Sequence, residues 1–162
     1  MSLFEPVIRA FNEAGVEYVV VGGLATLLHG HFRTTADVDF AIRLDGANIV
    51  KVLDALRALG YRPRLPVDPR DFADAEVRRE WVEQKGMKVL SFYHPTSAGA
   101  GVDVFAEAPG FGGLLARSEL KSLGSVDVRV CSIDDLIAMK RAANRPIDRH
   151  DVQALEIIRQ GS

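Results

Sequence analysis

Between Val21 and Ile42 the chain reads VGGLATLLHGHFRTTADVDFAI. A glycine pair closes the apolar run EYVVV (Glu17–Val21), a short helix is predicted over Leu24–His29, and an Arg-Thr-Thr cluster follows. Two aspartates then sit one residue apart in a strand predicted over Ala36–Ile42. Residues i and i+2 of a strand share a face, so Asp37 and Asp39 project together while Val38, Phe40 and Ile42 enter the core. Aspartate is among the poorest strand formers, a handicap of only ~1 kcal/mol. The electrostatic term is larger, because burying an unpaired carboxylate costs several kcal/mol and two neighbouring ones repel. A divalent cation, an arginine such as Arg33 or Arg43, or solvent exposure would each compensate.

The chain supplies its own comparison, since the tripeptide Val-Asp-Val occurs at two other places. At 126–128 the aspartate alternates with Ser125 and Arg129, the pattern of an exposed edge strand. At 102–104 it alternates with Gly101 and Phe105, which is no solvated face. Asp103 therefore groups with Asp37 and Asp39, and Asp127 does not. Three carboxylates on neighbouring strands suit one or two Mg²⁺ ions, hard cations that take oxygen ligands and leave room for phosphate. Such ions serve in-line phosphoryl or nucleotidyl transfer. A Gly-Gly turn from strand into helix lets backbone amides approach an anion, although alone it is as often a plain tight turn. Neither G-x-x-x-x-G-K-[ST] nor G-x-G-x-x-G occurs, which removes the P-loop and dinucleotide fingerprints.

Outward from this stretch the periodicity predicts one α/β domain over residues 1–162. Leu3–Ala14 forms an amphipathic helix stopped by Gly15, and Ala47–Leu59 a second one ending at Gly60. Arg62–Arg70, with three prolines, reads as a loop or broken edge strand. Asp71 is the expected N-cap of a charged helix reaching Gln84. Met87–Tyr93 and Val102–Phe105 are an expected antiparallel pair joined by a turn-rich His94–Gly101. The PGFGG segment reads as a loop before a strand over Val126–Cys131. From about residue 132 the chain turns helical: Ser132-x-x-Asp135 opens a helix through Ala143, Pro146 breaks it, and a last helix covers Asp148–Arg159.

With 48% hydrophobic and 26% charged residues the composition is that of a globular chain, and a net charge of −2 creates no overall pull toward nucleic acid or anionic membrane. The single Cys131 points to a reducing, cytoplasmic setting. No apolar run reaches the ~20 residues of a membrane span, and the N-terminal residues lack a signal-peptide pattern.

Taken together, Gly-Gly, a short helix, R-x-T-x-D-x-D-F and a later V-D-V-F resemble the DNA polymerase beta-type nucleotidyltransferase superfamily. In detail they are similar to its small AbiEii/AbiGii-type branch. The closing segment DDLIAMKRAANRPIDRHDVQAL also resembles that branch's Lys-containing helix and following D-x-x-D. The resemblance implies a polymerase beta-like fold, a small mixed sheet flanked by helices. It also implies a magnesium-dependent enzyme that binds ATP or another NTP. Gly22 and Gly23 would take the triphosphate, Asp37 and Asp39 two Mg²⁺ (or Mn²⁺), and Asp103 would complete the metal site and help activate an acceptor hydroxyl. Lys140 would contact phosphate, with a structural dipole partner as its equal alternative. Arg33 and Thr35 order the approach to the metal strand or touch the ligand. Acceptors in the wider superfamily include RNA ends, proteins and small molecules. A weakly active or inactive nucleotide-binding protein, acting as an antitoxin-like or toxin-antitoxin partner, is the second reading, and the terminal helices could serve a homodimer. His29, His31 and His150 carry no metal or nucleophile spacing and read as turn or helix residues; Arg145, Asp148 and Asp151 mark a helix junction, and Trp81 and Phe92 are core.

Overall fold

A computed structural model describes residues 3–96 and 99–161. Within these residues seven strands form one mixed sheet: β1 (Tyr18–Val21), β2 (Asp37–Ile42), β3 (Arg62–Pro63), β4 (Val89–Tyr93), β5 (Gly101–Phe105), β6 (Glu119–Leu123) and β7 (Val126–Val130). Their order across the sheet is β3-β4-β5-β2-β1-β7-β6. The pairs β2·β5 and β1·β7 are parallel and the rest antiparallel. Among the described residues seven α-helices accompany them: α1 (Glu5–Ala14), α2 (Gly22–Leu28), α3 (Gly46–Ala58), α4 (Ala75–Lys85), α5 (Phe111–Arg117), α6 (Ile133–Ala143) and α7 (Pro146–Gln160). A short 3-10 helix spans Pro69–Ala73.

The alternation expected of β2 holds. Val38, Phe40 and Ile42 are fully buried, and the Phe40 ring packs 4.7 Å from Phe11 of α1 and 5.4 Å from Tyr18 of β1. Each such side chain contributes about 1.5–3 kcal/mol through burial. That anchoring fixes the register, and one step of slippage would exchange this apolar rank for the aspartates. Trp81 and Phe92 are core residues as expected. The β4·β5 pair is antiparallel, again as expected.

Several local expectations are corrected. The helix after β1 starts at Gly22, not Leu24, so both glycines lie in its first turn. Asp74, not Asp71, caps α4, accepting from the amides of Glu76 and Val77, while Asp71 lies inside the 3-10 helix. Pro69 starts that turn, and its fixed φ suits a first helical position. The PGFGG segment is not all loop: buried Phe111 anchors α5 despite Gly112 and Gly113. Strand β6 went unpredicted because ELKSL is mostly exposed. Its pairing makes β7 an internal strand, so Asp127 is exposed on a sheet face and not on an edge. The final helix begins at Pro146, two residues before the expected start. The expected His94–Gly101 connection includes residues 97 and 98, which lie outside the described residues.

Helices α6 and α7 are joined by charge as well as by apolar contact. Lys140 donates to the Asp151 carboxylate at 2.9 Å, and all but a few per cent of both side chains is buried. Asp148 accepts from the Arg145 amide and guanidinium at 3.1 and 2.6 Å, which fastens the first turn of α7. Deleting one partner of a buried pair strands the other charge. Asp151→Ala is therefore expected to cost about 3–5 kcal/mol in denaturant unfolding, whereas Asp134→Ala, removing an exposed contact with Arg159, should change stability by less than ~1 kcal/mol.

Candidate active site

The parallel pairing of β2 with β5 places Asp39 directly beside Asp103 and Asp37 beside Gly101. Adjacent strands lie about 4.8 Å apart, so the three carboxylates expected to act together do share one face. Asp37 is exposed, and Asp39 and Asp103 are half-buried. The end of β1 completes the arrangement: Val21 pairs with Asp39, so the chain enters Gly22 next to that carboxylate. A Cβ at Gly22 would overlap the Asp39 carboxylate, and Gly22 also has φ +70°, a conformation that disfavours other residues. A Cβ at Gly101 would likewise overlap Asp37. Glycine at these two positions keeps space for carboxylates.

Burial, followed by the Asp103 charge, a hydrogen bond shared with the Asp103 carboxyl and the Asp37 charge, pushes Asp39 up to about 7, against a downward pull from Lys140. The pair is thus frustrated in the absence of a cation. Among the described residues no three His, Cys, Asp or Glu side chains converge as a preformed metal cage. The donor set nonetheless fits a hard divalent ion. It consists of carboxylate oxygens crowded enough to retain a proton, and it has space cleared by two glycines.

The other residues singled out in the sequence occupy the flank nearest α2 and α7. A Cβ at Gly23 would stand 2.8 Å from Thr35 Oγ1 and 3.2 Å from Arg33 Nη2, so the Arg-Thr-Thr segment folds over Gly23, which is buried, and leaves Gly22 facing Asp39. Thr35 donates to the Asp37 carbonyl at 3.1 Å, bracing the start of β2. Arg33 reaches the same Asp151 oxygen as Lys140, at 2.5 Å. Among the described residues the other Asp151 oxygen has no hydrogen-bond partner, and it faces His31 at 3.5 Å. Arg33, Lys140 and Arg145 against Asp148 and Asp151 leave one positive charge in a cluster whose lysine and carboxylates are buried while the Arg145 side chain is 68% exposed. Lys140 lies close enough to Asp39 for its charge to be felt there. Lys140 is thus a structural ion-pair partner that also polarises the site.

At the end of α2, His29 Nε2 donates to the Cys131 carbonyl at 2.7 Å. Burial pushes the Cys131 thiol up to about 12, which removes it as a nucleophile near neutral pH. The sequence reading missed Ser91 and Tyr93 on β4, and Arg64. All three share the aspartates' face; the alternation in VLSFY signals Ser91 and Tyr93, and nothing in the local pattern signals Arg64.

No protein-family model matches the chain, and no curated protein matches it in sequence. Solved structures do match in shape. The lincosamide antibiotic adenylyltransferase LnuA, with lincomycin bound, superposes with a TM-score of 0.64 at 15% identity, covering 96% of each chain. ANT(2'')-Ia, in complex with adenylyl-2''-tobramycin, gives 0.58 at 14% identity over 98% of this chain and 94% of its own. An antigenic nucleotidyltransferase-like protein from Paracoccidioides brasiliensis gives 0.58 at 16% identity, over 94% and 74%. The fold is therefore the polymerase beta-like nucleotidyltransferase fold.

A carboxyl held above its unfolded value of about 3.8 binds its proton more tightly in the folded chain. Its favourable contribution is complete below about pH 4 and lost as the pH rises through about 7. In EDTA, the melting temperature of Asp39→Asn is accordingly expected to rise relative to that of the unsubstituted protein across this window. A difference independent of pH would contradict the crowding.

Proposed function

We propose that this chain is a Mg²⁺-dependent nucleotidyltransferase, moving an NMP from an NTP to an acceptor hydroxyl with release of pyrophosphate. The observation that carries this reading is the in-register juxtaposition of Asp39 and Asp103 beside a glycine pair, within a fold shared with nucleotidyltransferases. The R-x-T-x-D-x-D-F and closing D-x-x-D segments support placing it beside the AbiEii/AbiGii-type branch.

Gly22 would offer backbone free of a side chain to the triphosphate, with Gly23 buried behind it under Thr35 and Arg33, and the positive charge around Lys140 and Arg33 lies on the same flank. Asp37, Asp39 and Asp103 would hold Mg²⁺, whose charge, when bound, offsets that of the triphosphate and polarises the attacked phosphorus. In the transfer the acceptor oxygen bonds to the α-phosphorus. The bond from that phosphorus to the bridging oxygen breaks, and pyrophosphate leaves with its electron pair. Asp103, on the strand farther from the glycine pair, takes the hydroxyl proton. The Asp151 cluster touches no reacting atom in this scheme; it fixes Lys140 and Arg33 so that their charge stays beside the phosphates.

Isothermal titration with ATP and GTP tests the donor side. Binding is expected with Mg²⁺ and not with EDTA, and Asp39→Asn should abolish it. Asp103→Asn should retain binding yet lose transfer by at least ~100-fold, the scale of a lost general base, as followed by label passing from α-³²P-NTP to cellular RNA, protein or metabolite fractions. Metal-independent nucleotide binding, or unchanged transfer in Asp103→Asn, would refute the assignment.

A further inference from the structure

The carboxylates occupy one half of a surface that continues beyond them. Asp103 pairs with Ser91 of β4, and the Ser91 carbonyl accepts from the Arg64 amide at 2.9 Å. Asp39, Asp103, Ser91 and Arg64 therefore form one rank across four neighbouring backbone segments. Continuing the β4·β5 register by one residue sets Tyr93 opposite Gly101, and Tyr93 pairs with Arg62. Asp37, Gly101, Tyr93 and Arg62 make the second rank. Residues directly opposite one another in a sheet share a face, so both ranks look the same way. The floor between the acidic and basic ends is Ser91 in the first rank and Gly101 followed by Tyr93 in the second.

The basic end is not committed elsewhere. Arg62 and Arg64 are both exposed, and among the described residues neither has a carboxylate within 4.0 Å. Arg64 does not extend into solvent but folds back over the sheet. Its guanidinium lies 5.5 Å from the Tyr93 ring centroid, and a Cβ on Gly101 would stand 3.6 Å from its Nη2. A stacked guanidinium keeps its edge donors free for an oxyanion. It is held above the strand that carries Asp103, on the side away from Gly22 and Gly23.

We propose that this half of the face is the acceptor subsite, and that it selects a small hydroxyl compound carrying an anionic group, phosphate or carboxylate, which Arg64 and Arg62 bind. This rests on the nucleotidyltransferase reading above, which puts the donor nucleotide on the glycine flank. Two strand spacings separate β3 from β5, about 10 Å, and Arg64 bends back across them to Gly101, which lies two residues, roughly 7 Å, along β5 from Asp103. The attacking hydroxyl at Asp103 and the anion at Arg64 are then separated by roughly one sugar ring. A cationic amine in the same place would meet two unneutralised arginines, so aminosugars are disfavoured.

A matched set of probes tests this: glucose 6-phosphate, gluconate, glucose and glucosamine, titrated against the intact protein with and without Mg²⁺ and a non-hydrolysable ATP analogue. Glucose 6-phosphate, gluconate or both should bind at least tenfold more tightly than glucose and glucosamine, and the two anions rank phosphate against carboxylate. The double variant Arg62→Ala, Arg64→Ala, both exposed positions, should remove that preference while its affinity for the Mg²⁺-nucleotide stays within twofold. Absence of any charge preference, including no binding of either anion, overturns the subsite. So does an equal loss of nucleotide affinity in the double variant, which would place the arginines on the donor. If the nucleotide analogue itself fails to bind the unsubstituted protein, the transferase reading falls; arginine-dependent binding of an anionic probe would still uphold the anion subsite.

Discussion

Two half-buried carboxylates face each other across a parallel strand pair, and the rest of the molecule is arranged around that contact. The register of β2 against β5 is set from the other side of the sheet, where Val38, Phe40, Val102 and Val104 are buried without polar exceptions. Hydrophobic packing thus enforces an electrostatically unfavourable meeting. Asp39, pushed up to about 7, registers the resulting tension. Such placements are characteristic of functional sites, where fold stability is exchanged for chemical capability.

Charge of the opposite sign is supplied in two places and in two ways. On the α7 flank it is internal and fixed: Lys140 and Arg33 converge on one oxygen of buried Asp151, so their positions follow from helix packing and lose little freedom when a ligand arrives. On the β3 flank it is exposed, with Arg64 held only by its aromatic neighbour and by the course of the strand. The first arrangement suits a component common to every turnover. The second suits a partner whose identity has to be discriminated. The glycines reinforce the division, with Gly22 clearing space beside Asp39 and Gly101 clearing space beside Asp37.

The centre of this arrangement was legible in the sequence because it is locally encoded. The alternation in DVDFAI fixes which side chains share a face, and Val-Asp-Val at 102–104 repeats it with no polar neighbours. Its flanks were not legible in the same way. The link from Lys140 to Asp151 crosses a helix junction, and nothing in either helix's own pattern announces it. Arg64 belongs to a proline-rich stretch with no usable periodicity, and only its pairing with Ser91 reveals which way it faces. Strand β6 escaped notice for a related reason, since a largely solvated strand has no apolar period to detect. The seven-residue α5 was hidden by two glycines, and buried Phe111 outweighs their cost.

Anomalous diffraction from crystals grown with Mn²⁺ and a non-hydrolysable NTP analogue addresses the Asp39–Asp103 contact most directly. Manganese peaks between these two carboxylates, within coordination distance of both and of the analogue's phosphates, are the expected result. Manganese bound elsewhere, or the analogue seated away from Gly22 and Gly23 with the carboxylates still sharing a proton, would contradict a nucleotidyl-transfer centre at this position.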